Sequence, residues 1–264
     1  MIRILDNKEI DRQQWDSLVS ASSCSDVYAY SWFLDIVVPE WKGIVVDDYR
    51  VVVPLPIKTK FCFRYLVQPI FSQRYGVYSQ SEPSSYEIEE IKTIISQYKY
   101  IRLSLSFSLF GGERVRHNFE LNVSKPYELL YSQFVKNTKR NIRNAQMQQF
   151  SCFQQVEKKG EVWNECMQKI GISVYNRKEV LQLIENEHSE MYVVAYEQSY
   201  VIAAAVFFKT DKKLYYLFPV SSEEGKQGKA MFLLLDFVIQ KYAGTNLILD
   251  FEGSEIIGVS RFYK

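Results

Sequence analysis

The residues that carry metal and redox chemistry are scarce in this sequence. It has two histidines, His117 and His188, and four cysteines, Cys24, Cys62, Cys152 and Cys166, none in C-x-x-C spacing. A zinc site would need distant residues to converge, and the chain is too long for a disulfide scaffold, so reduced thiols and no metal are expected. A dominant charge is also absent. Lys and Arg number 32 against 31 Asp and Glu, a net charge of +1. That excludes the whole chain as a polyanion binder and makes any basic site local. Long apolar runs are missing too. The longest uncharged one, Val201–Phe208, is far too short to span a bilayer, and Met1–Trp15 has no apolar signal core. A cytoplasmic protein without a transmembrane segment is expected. No Walker loop, dinucleotide fingerprint or Ser-His-Asp set is present.

Apolar residues make up 47% of the chain, enough for a sizeable core. Residues 9–20 predict an amphipathic helix on Ile10, Trp15, Leu18 and Val19, and Ser25–Val38 a second one ended by Pro39. Ile44–Asp47 and Arg50–Ile57 read as a hairpin whose second strand, with Pro54 and Pro56, ends at an edge. Ser84 and Glu87 form a capping box before a helix to Tyr98. Ile101–Phe110 alternates as a half-buried strand, and Val115–Val123 follows, with His117 expected as a hydrogen-bonded residue on its apolar face.

Past the Ser124–Pro126 joint, helices are expected over Tyr127–Gln149, Val162–Ser173 and Arg177–Glu187. A hairpin follows, Met191–Ala195 with Val201–Lys209. Strand Leu214–Val220, loop Ser221–Lys229, helix Lys229–Tyr242 and strand Leu247–Phe251 make a βαβ unit. Ile44–Lys58 and Tyr192–Lys209 are similar hairpins, which suggests two lobes, 1–123 and 124–264. The expected class is α/β (α+β), with mixed, mostly antiparallel sheets flanked by helices.

Four constellations could carry chemistry; one is the terminal Arg261-Phe262-Tyr263-Lys264, where a tyrosine hydroxyl could protonate a leaving group, although one tyrosine among 19 means little by itself. The loop containing Ser221, Gly225, Lys226, Gly228 and Lys229 empties onto a helix start at Ala230, where free N–H groups attract anions; the plainer reading is a polar connection. Lys136, Lys139, Arg140 and Arg143 form one basic helical stripe, suited to a phosphate or carboxylate ligand or else a solvated face. Asp250 and Glu252, one residue apart at a strand end, should share a face; one is a candidate general base, and a cap and turn are the alternative.

Several motifs together are familiar. Asn137–Ala145 (NTKRNIRNA) and the pair LDFEGS at Leu249–Ser254 and RFYK at Arg261–Lys264 resemble signatures of the Fem-like branch of GNAT acyltransferases. The resemblance implies two GNAT-like lobes, 1–123 and 124–264. It also implies acyl or aminoacyl transfer to an amine or hydroxyl of a cell-envelope precursor or polysaccharide intermediate. The donor would be acetyl-CoA or another acyl-CoA, with aminoacyl-tRNA as the alternative. Ser221–Ala230 would then be the pyrophosphate turn, although its leading Gln/Arg is absent. Tyr263 would be the general acid and Lys264 a lysine near the transfer site. A tRNA-dependent peptidoglycan-type ligase and a non-catalytic module binding a phosphorylated ligand are the alternative functions.

Overall fold

The structure is a computed structural model. It describes residues 1–106, 116–170, 176–197 and 200–253, the side chains of Lys169 and Ile170 excepted. The chain divides into two compact units, Met1–Val115 and Arg116–Lys264.

In the first unit, β1 (Ile2–Asp6) leads to α1 (Arg12–Ala21), whose start is capped by the Asp11 side chain accepting from the Gln14 N–H. Trp15, Leu18 and Val19 bury the stripe that the spacing predicts. The helix lies so close to β2 (Lys42–Val46) that a Cβ on Gly43 would stand 2.5 Å from the Trp15 ring. The helix expected over Ser25–Val38 is a 3-10 turn at Val27–Ala29 followed by α2 (Ser31–Val37). Tyr30 is extended between them, and the N–H and Oγ of Ser31 both donate to Asp16, each at 2.7 Å. Those anchors to α1 outweigh the helical pattern.

β3 (Val51–Leu55) pairs along its length with β2. Two further strands follow, β4 (Ile57–Lys60) and β5 (Phe63–Val67). β6 (Tyr78–Ser79) then pairs only with Val51 and Val52, so β3 is an edge on that side at Pro54. α3 (Ser85–Ser96) begins with the Ser84–Glu87 capping box, and β7 (Ile101–Arg102) completes the unit. The sheets are ordered β1-β2-β3-β6 and β4-β5-β7. β4 and β5 meet in a tight turn with Phe61 (φ 47°) and Cys62 (φ 65°) both left-handed. Each such non-glycine residue costs about 1–2 kcal/mol. Of the strand expected over Ile101–Phe110, only Ile101–Arg102 is regular and Leu105 makes an isolated bridge to Tyr75, while residues 107–110 lie outside the described residues.

In the second unit, β8 (Glu120–Asn122) pairs with a strand far along the chain, β13 below, so 116–123 belongs to this unit and not to the first lobe as expected. His117 is exposed there and is not a core residue. The helical stretch expected over Tyr127–Gln149 is two helices, α4 (Tyr127–Gln133) and α5 (Lys136–Gln146), separated because Phe134 and Val135 are extended. Next come β9 (Phe150–Gln155), α6 (Lys159–Ile170), α7 (Arg177–Glu185), β10 (Ser189–Tyr196), β11 (Tyr200–Lys209) and β12 (Lys213–Ser221). A short α8 (Glu223–Gln227), then α9 (Ala230–Tyr242) and β13 (Ile248–Asp250), close the described chain.

The sheet order is β8-β13-β12-β11-β10-β9, antiparallel except where β12 and β13 run parallel. α9 packs on β9–β11, α6 on β11 and β12, and α7 on β10. β11 is therefore buried on both faces from Val201 to Phe208, which explains its unbroken apolar run. Phe207 packs against Tyr192 and Phe208 against Phe218. Each fully buried ring contributes about 1.5–3 kcal/mol. The expected class, mixed and mostly antiparallel sheets flanked by helices, is what the structure shows. No helix among the described residues is long and apolar enough to cross a membrane.

Candidate functional site

The parallel pair β12–β13 is short. It covers only Lys213↔Ile248, Leu214↔Leu249 and Tyr215↔Asp250, after which β12 runs on to Ser221 without β13 beside it. β12 is irregular in this second half. Phe218 is left-handed (φ 47°), and the register to β11 slips between Ala204 and Val206. At this end lies a cavity of about 360 Å³. Pro219, Val220 and Ser221 line it from β12, and Gly225, Lys226, Lys229, Met231 and Phe232 from α8 and the start of α9.

The turn between β12 and α9 is not an open glycine loop. Ser222 caps α8, its Oγ accepting from the Gly225 N–H at 3.1 Å and its carbonyl from the Lys226 N–H at 2.9 Å. The Gly228 N–H donates to the Glu224 carbonyl (2.8 Å) and the Lys229 N–H to the Lys226 carbonyl (3.3 Å). These four N–H groups, expected to point at a ligand, are used inside the turn. The glycines are required by packing. A Cβ on Gly225 would stand 2.5 Å from the Ile202 carbonyl oxygen, and one on Gly228 2.5 Å from the Phe150 ring. Lys226 pairs with Glu223.

What remains for an anion is the start of α9. Its cap residue, Lys229, is left-handed (φ 61°) and offers no capping side chain. The N–H groups of Ala230 and Met231 make no hydrogen bond among the described residues, and Lys229 makes no ion pair there. Two backbone donors and one ammonium beside a cavity fit one anionic group.

Asp250 is wholly buried, with its Oδ1 accepting from Asn118 Nδ2 (3.0 Å) and the Glu252 N–H (2.8 Å). Its Oδ2 stands 3.4 Å from Lys213 Nζ, which also pairs with Glu120 at 2.6 Å. This carboxylate ties β13 to its neighbours. Glu252 does not share its face by simple alternation, because β13 ends at Asp250 and Glu252 is left-handed (φ 60°) and half-buried. Tyr263 and Lys264 lie outside the described residues.

None of Lys136, Lys139, Arg140 and Arg143 lines the cavity. Asn141, Ile142 and Ala145 are the buried side of α5, whereas Val135 is 50% exposed. Lys139 donates to the Ser132 carbonyl (2.7 Å) and lies over the Tyr131 ring, and Arg140 donates to Asn137 (2.6 Å). Among the described residues no group of His, Cys, Asp and Glu could hold a metal ion.

Two further buried polar groups stand out in the structure. Asp236 is buried in α9, bonded by Tyr127 Oη (2.7 Å) and Gln240 Nε2 (2.9 Å). Burial pushes its carboxyl above the usual range, and with help from that carboxylate pushes the nearby Cys152 thiol up to about 12. As the only charged residue in Ala230–Ile239, Asp236 was visible in the sequence as an anomaly. Trp163 is buried, and its indole N–H has no partner among the described residues. Its ring lies edge-on to Phe218 at 6.4 Å, at the irregular point of β12.

No protein-family model matches the chain, and a comparison with curated proteins finds no match. Solved structures do match in fold. FemX is 13% identical with a TM-score of 0.68, over 99% of this chain and 93% of that one. A conserved protein of unknown function from Bacteroides thetaiotaomicron VPI-5482 is 10% identical with a TM-score of 0.64, over 100% and 94%. L-PGS from Bacillus licheniformis is 9% identical with a TM-score of 0.57, over 94% and 81%. The chain has a fold similar to that of FemX. At these identities the likeness is one of fold.

Proposed function

We propose that the chain is an acyl- or aminoacyltransferase that holds its donor in the second unit. The acceptor would be an amine or hydroxyl of a cell-envelope precursor or polysaccharide intermediate. One observation carries this reading: an uncapped helix start, with a lysine and a cavity, sits where β12 continues past β13. The N–H groups of Ala230 and Met231 and the Lys229 ammonium would grip one phosphate of the donor. Val220, Met231 and Phe232 would shield the acyl arm from water. Bound there, the donor supplies an activated ester or thioester.

Glu252, just past β13, is the candidate to take the acceptor's proton as its nitrogen or oxygen bonds the carbonyl carbon. Tyr263 and Lys264 enter through the family resemblance alone, Tyr263 to protonate the leaving group. The internal use of four turn N–H groups favours a second, narrower reading of the donor. A donor with a single phosphate near its ester, as at the 3′ end of an aminoacyl-tRNA, matches the remaining donors better than the pyrophosphate of an acyl-CoA.

Calorimetric titration of the full chain with acetyl-CoA and with aminoacyl-tRNA tests this directly. Binding of neither would overturn the transferase reading and leave a module for some other phosphorylated ligand. With the donor that binds, Glu252→Gln should lower turnover by about 100-fold or more while leaving donor affinity unchanged. Unchanged turnover would remove Glu252 from the chemistry.

A further inference from the structure

The β4–β5 hairpin of the first unit takes no part in the proposed reaction, and its composition is unusual for a surface turn. Lys58, Thr59, Lys60, Phe61, Cys62, Phe63 and Arg64 are all exposed, while Ile57 and Leu66, paired at its base, are buried. At the tip, Phe61 is 83% exposed and Phe63 63%. A two-residue turn of this kind, left-handed at both central positions, is ordinarily filled by Asn-Gly or Asp-Gly. Here it is filled by Phe61 and Cys62. Strain retained at an exposed tip, together with two unburied rings, needs a reason outside the fold of the unit.

The charges around the tip suggest that reason. Lys58, Lys60 and Arg64 flank it, and Lys99, just before β7 beside β5, lies over the Phe63 ring at 5.7 Å. None of the four makes an ion pair among the described residues. Neither residues 49–81 nor residues 91–112 contain a single Asp or Glu. In a chain of net charge +1, this is a local cationic field with no compensation in its own sequence.

We propose that the β4–β5 tip is a membrane-contact finger. Phe61 and Phe63 enter the interfacial zone of a bilayer, and Lys58, Lys60, Arg64 and Lys99 meet anionic lipid headgroups. The spacing agrees with this. At about 3.3 Å per strand residue, Lys58 stands about 10 Å behind the tip. That is the depth over which interfacial apolar groups bury themselves below the headgroups. Single-stranded nucleic acid is the competing polyanion, but it would need open ring faces to stack on. Lys60 lies over Phe61 at 5.6 Å and Lys99 over Phe63, so each ring already carries a cation on one face and offers a base only the other. The proposal stands independently of the transfer reaction.

Vesicle co-sedimentation of the full chain tests it, using pure phosphatidylcholine and an equimolar mixture with phosphatidylglycerol. Binding to the anionic vesicles alone, weakening as salt is raised, is expected. Phe61→Ser with Phe63→Ser should weaken it at least about tenfold. Lys58→Gln, Lys60→Gln and Arg64→Gln should each weaken it about fivefold. As a check that does not depend on affinity, Phe61→Trp should gain fluorescence quenching by brominated lipids that the wild type lacks. Three results would overturn the proposal. One is no binding to anionic vesicles; another is binding that neither set of variants reduces. The third is tighter binding to a single-stranded RNA oligonucleotide that falls with the same variants.

Discussion

At its C-terminal end α9 runs into a filled polar cluster, and at its N-terminal end into a cavity. In the cluster Glu190 accepts from Tyr192 Oη at 2.6 Å and from Tyr242 Oη. Lys241 donates to Tyr192 Oη (2.7 Å) and to Gln154 Oε1 (2.6 Å). Lys209 stands 3.7 Å from Glu190 and lies over the Tyr242 ring. The lysines also face the negative end of the helix dipole. At the other end the N–H groups of Ala230 and Met231 have no side-chain cap and no partner among the described residues, and a cavity lies beside them. The same helix thus separates polar groups that have found one another from polar groups that await something. The first kind stabilises a fold; the second is what a ligand can use.

The sharpest way to break this contrast is Glu190→Ala. It leaves two tyrosine hydroxyls without their acceptor and two lysines without their counter-charge. The expected loss is about 2–3 kcal/mol, or roughly 4–12 °C in melting temperature for a unit of this size, with donor affinity unchanged. Burial works to raise the Glu190 carboxyl, but hydrogen bonds from Tyr192 and Tyr242 and the charges of Lys241 and Lys209 outweigh it and hold the group below the usual glutamate range. Its stabilisation is therefore full above the unfolded value of about 4.3 and is lost as pH falls through the lower folded value. Denaturant unfolding of both proteins should show the difference shrinking below about pH 4. A mutant that melts like the wild type but loses its donor would reverse the roles of the two ends.

Much of this division could be read from the sequence, but not all for the right reason. The βαβ unit, the β10–β11 hairpin and the Ser84 cap were legible because each is a local pattern of period or spacing. Ser221, Gly225, Lys226 and Lys229 do line the cavity. Yet the glycines are there because Ile202 and Phe150 crowd the turn, a tertiary contact that no local pattern reports. For the same reason the break at Phe134–Val135, the short α8 inside a polar loop and the left-handed Glu252 were missed. Glu190 and Asp236 were readable as lone acids in apolar elements, but their partners lie far along the chain.

The crowding itself gives the next prediction. Gly225→Ala drives a Cβ into a backbone carbonyl that cannot turn aside, and Gly228→Ala drives one into a ring that can. Both should destabilise by about 1–3 kcal/mol, Gly225→Ala more, and both should weaken the donor by shifting the start of α9. Thermal melts paired with donor titration check this. A Gly225→Ala protein that melts lower and still binds its donor at full strength would separate the turn from the site.

The smallest effect is expected on α5, where the comparison can be sharpened most cheaply. Its stripe resembles the α9 start in being cationic, but it does not line the α9 cavity, and Lys139 and Arg140 already have partners on their own segment. Arg140→Ala with Arg143→Ala should therefore change stability by less than about 0.5 kcal/mol and leave small-donor affinity unchanged. A large donor such as tRNA could reach this face as well as the cavity. If the double variant weakens aminoacyl-tRNA but not a CoA ester, with a reduced salt dependence, the stripe is a second contact for a long polyanion. If it weakens both equally, the partner that makes a polar group structural must be sought in the ligand, and α5 joins the unsatisfied end of α9.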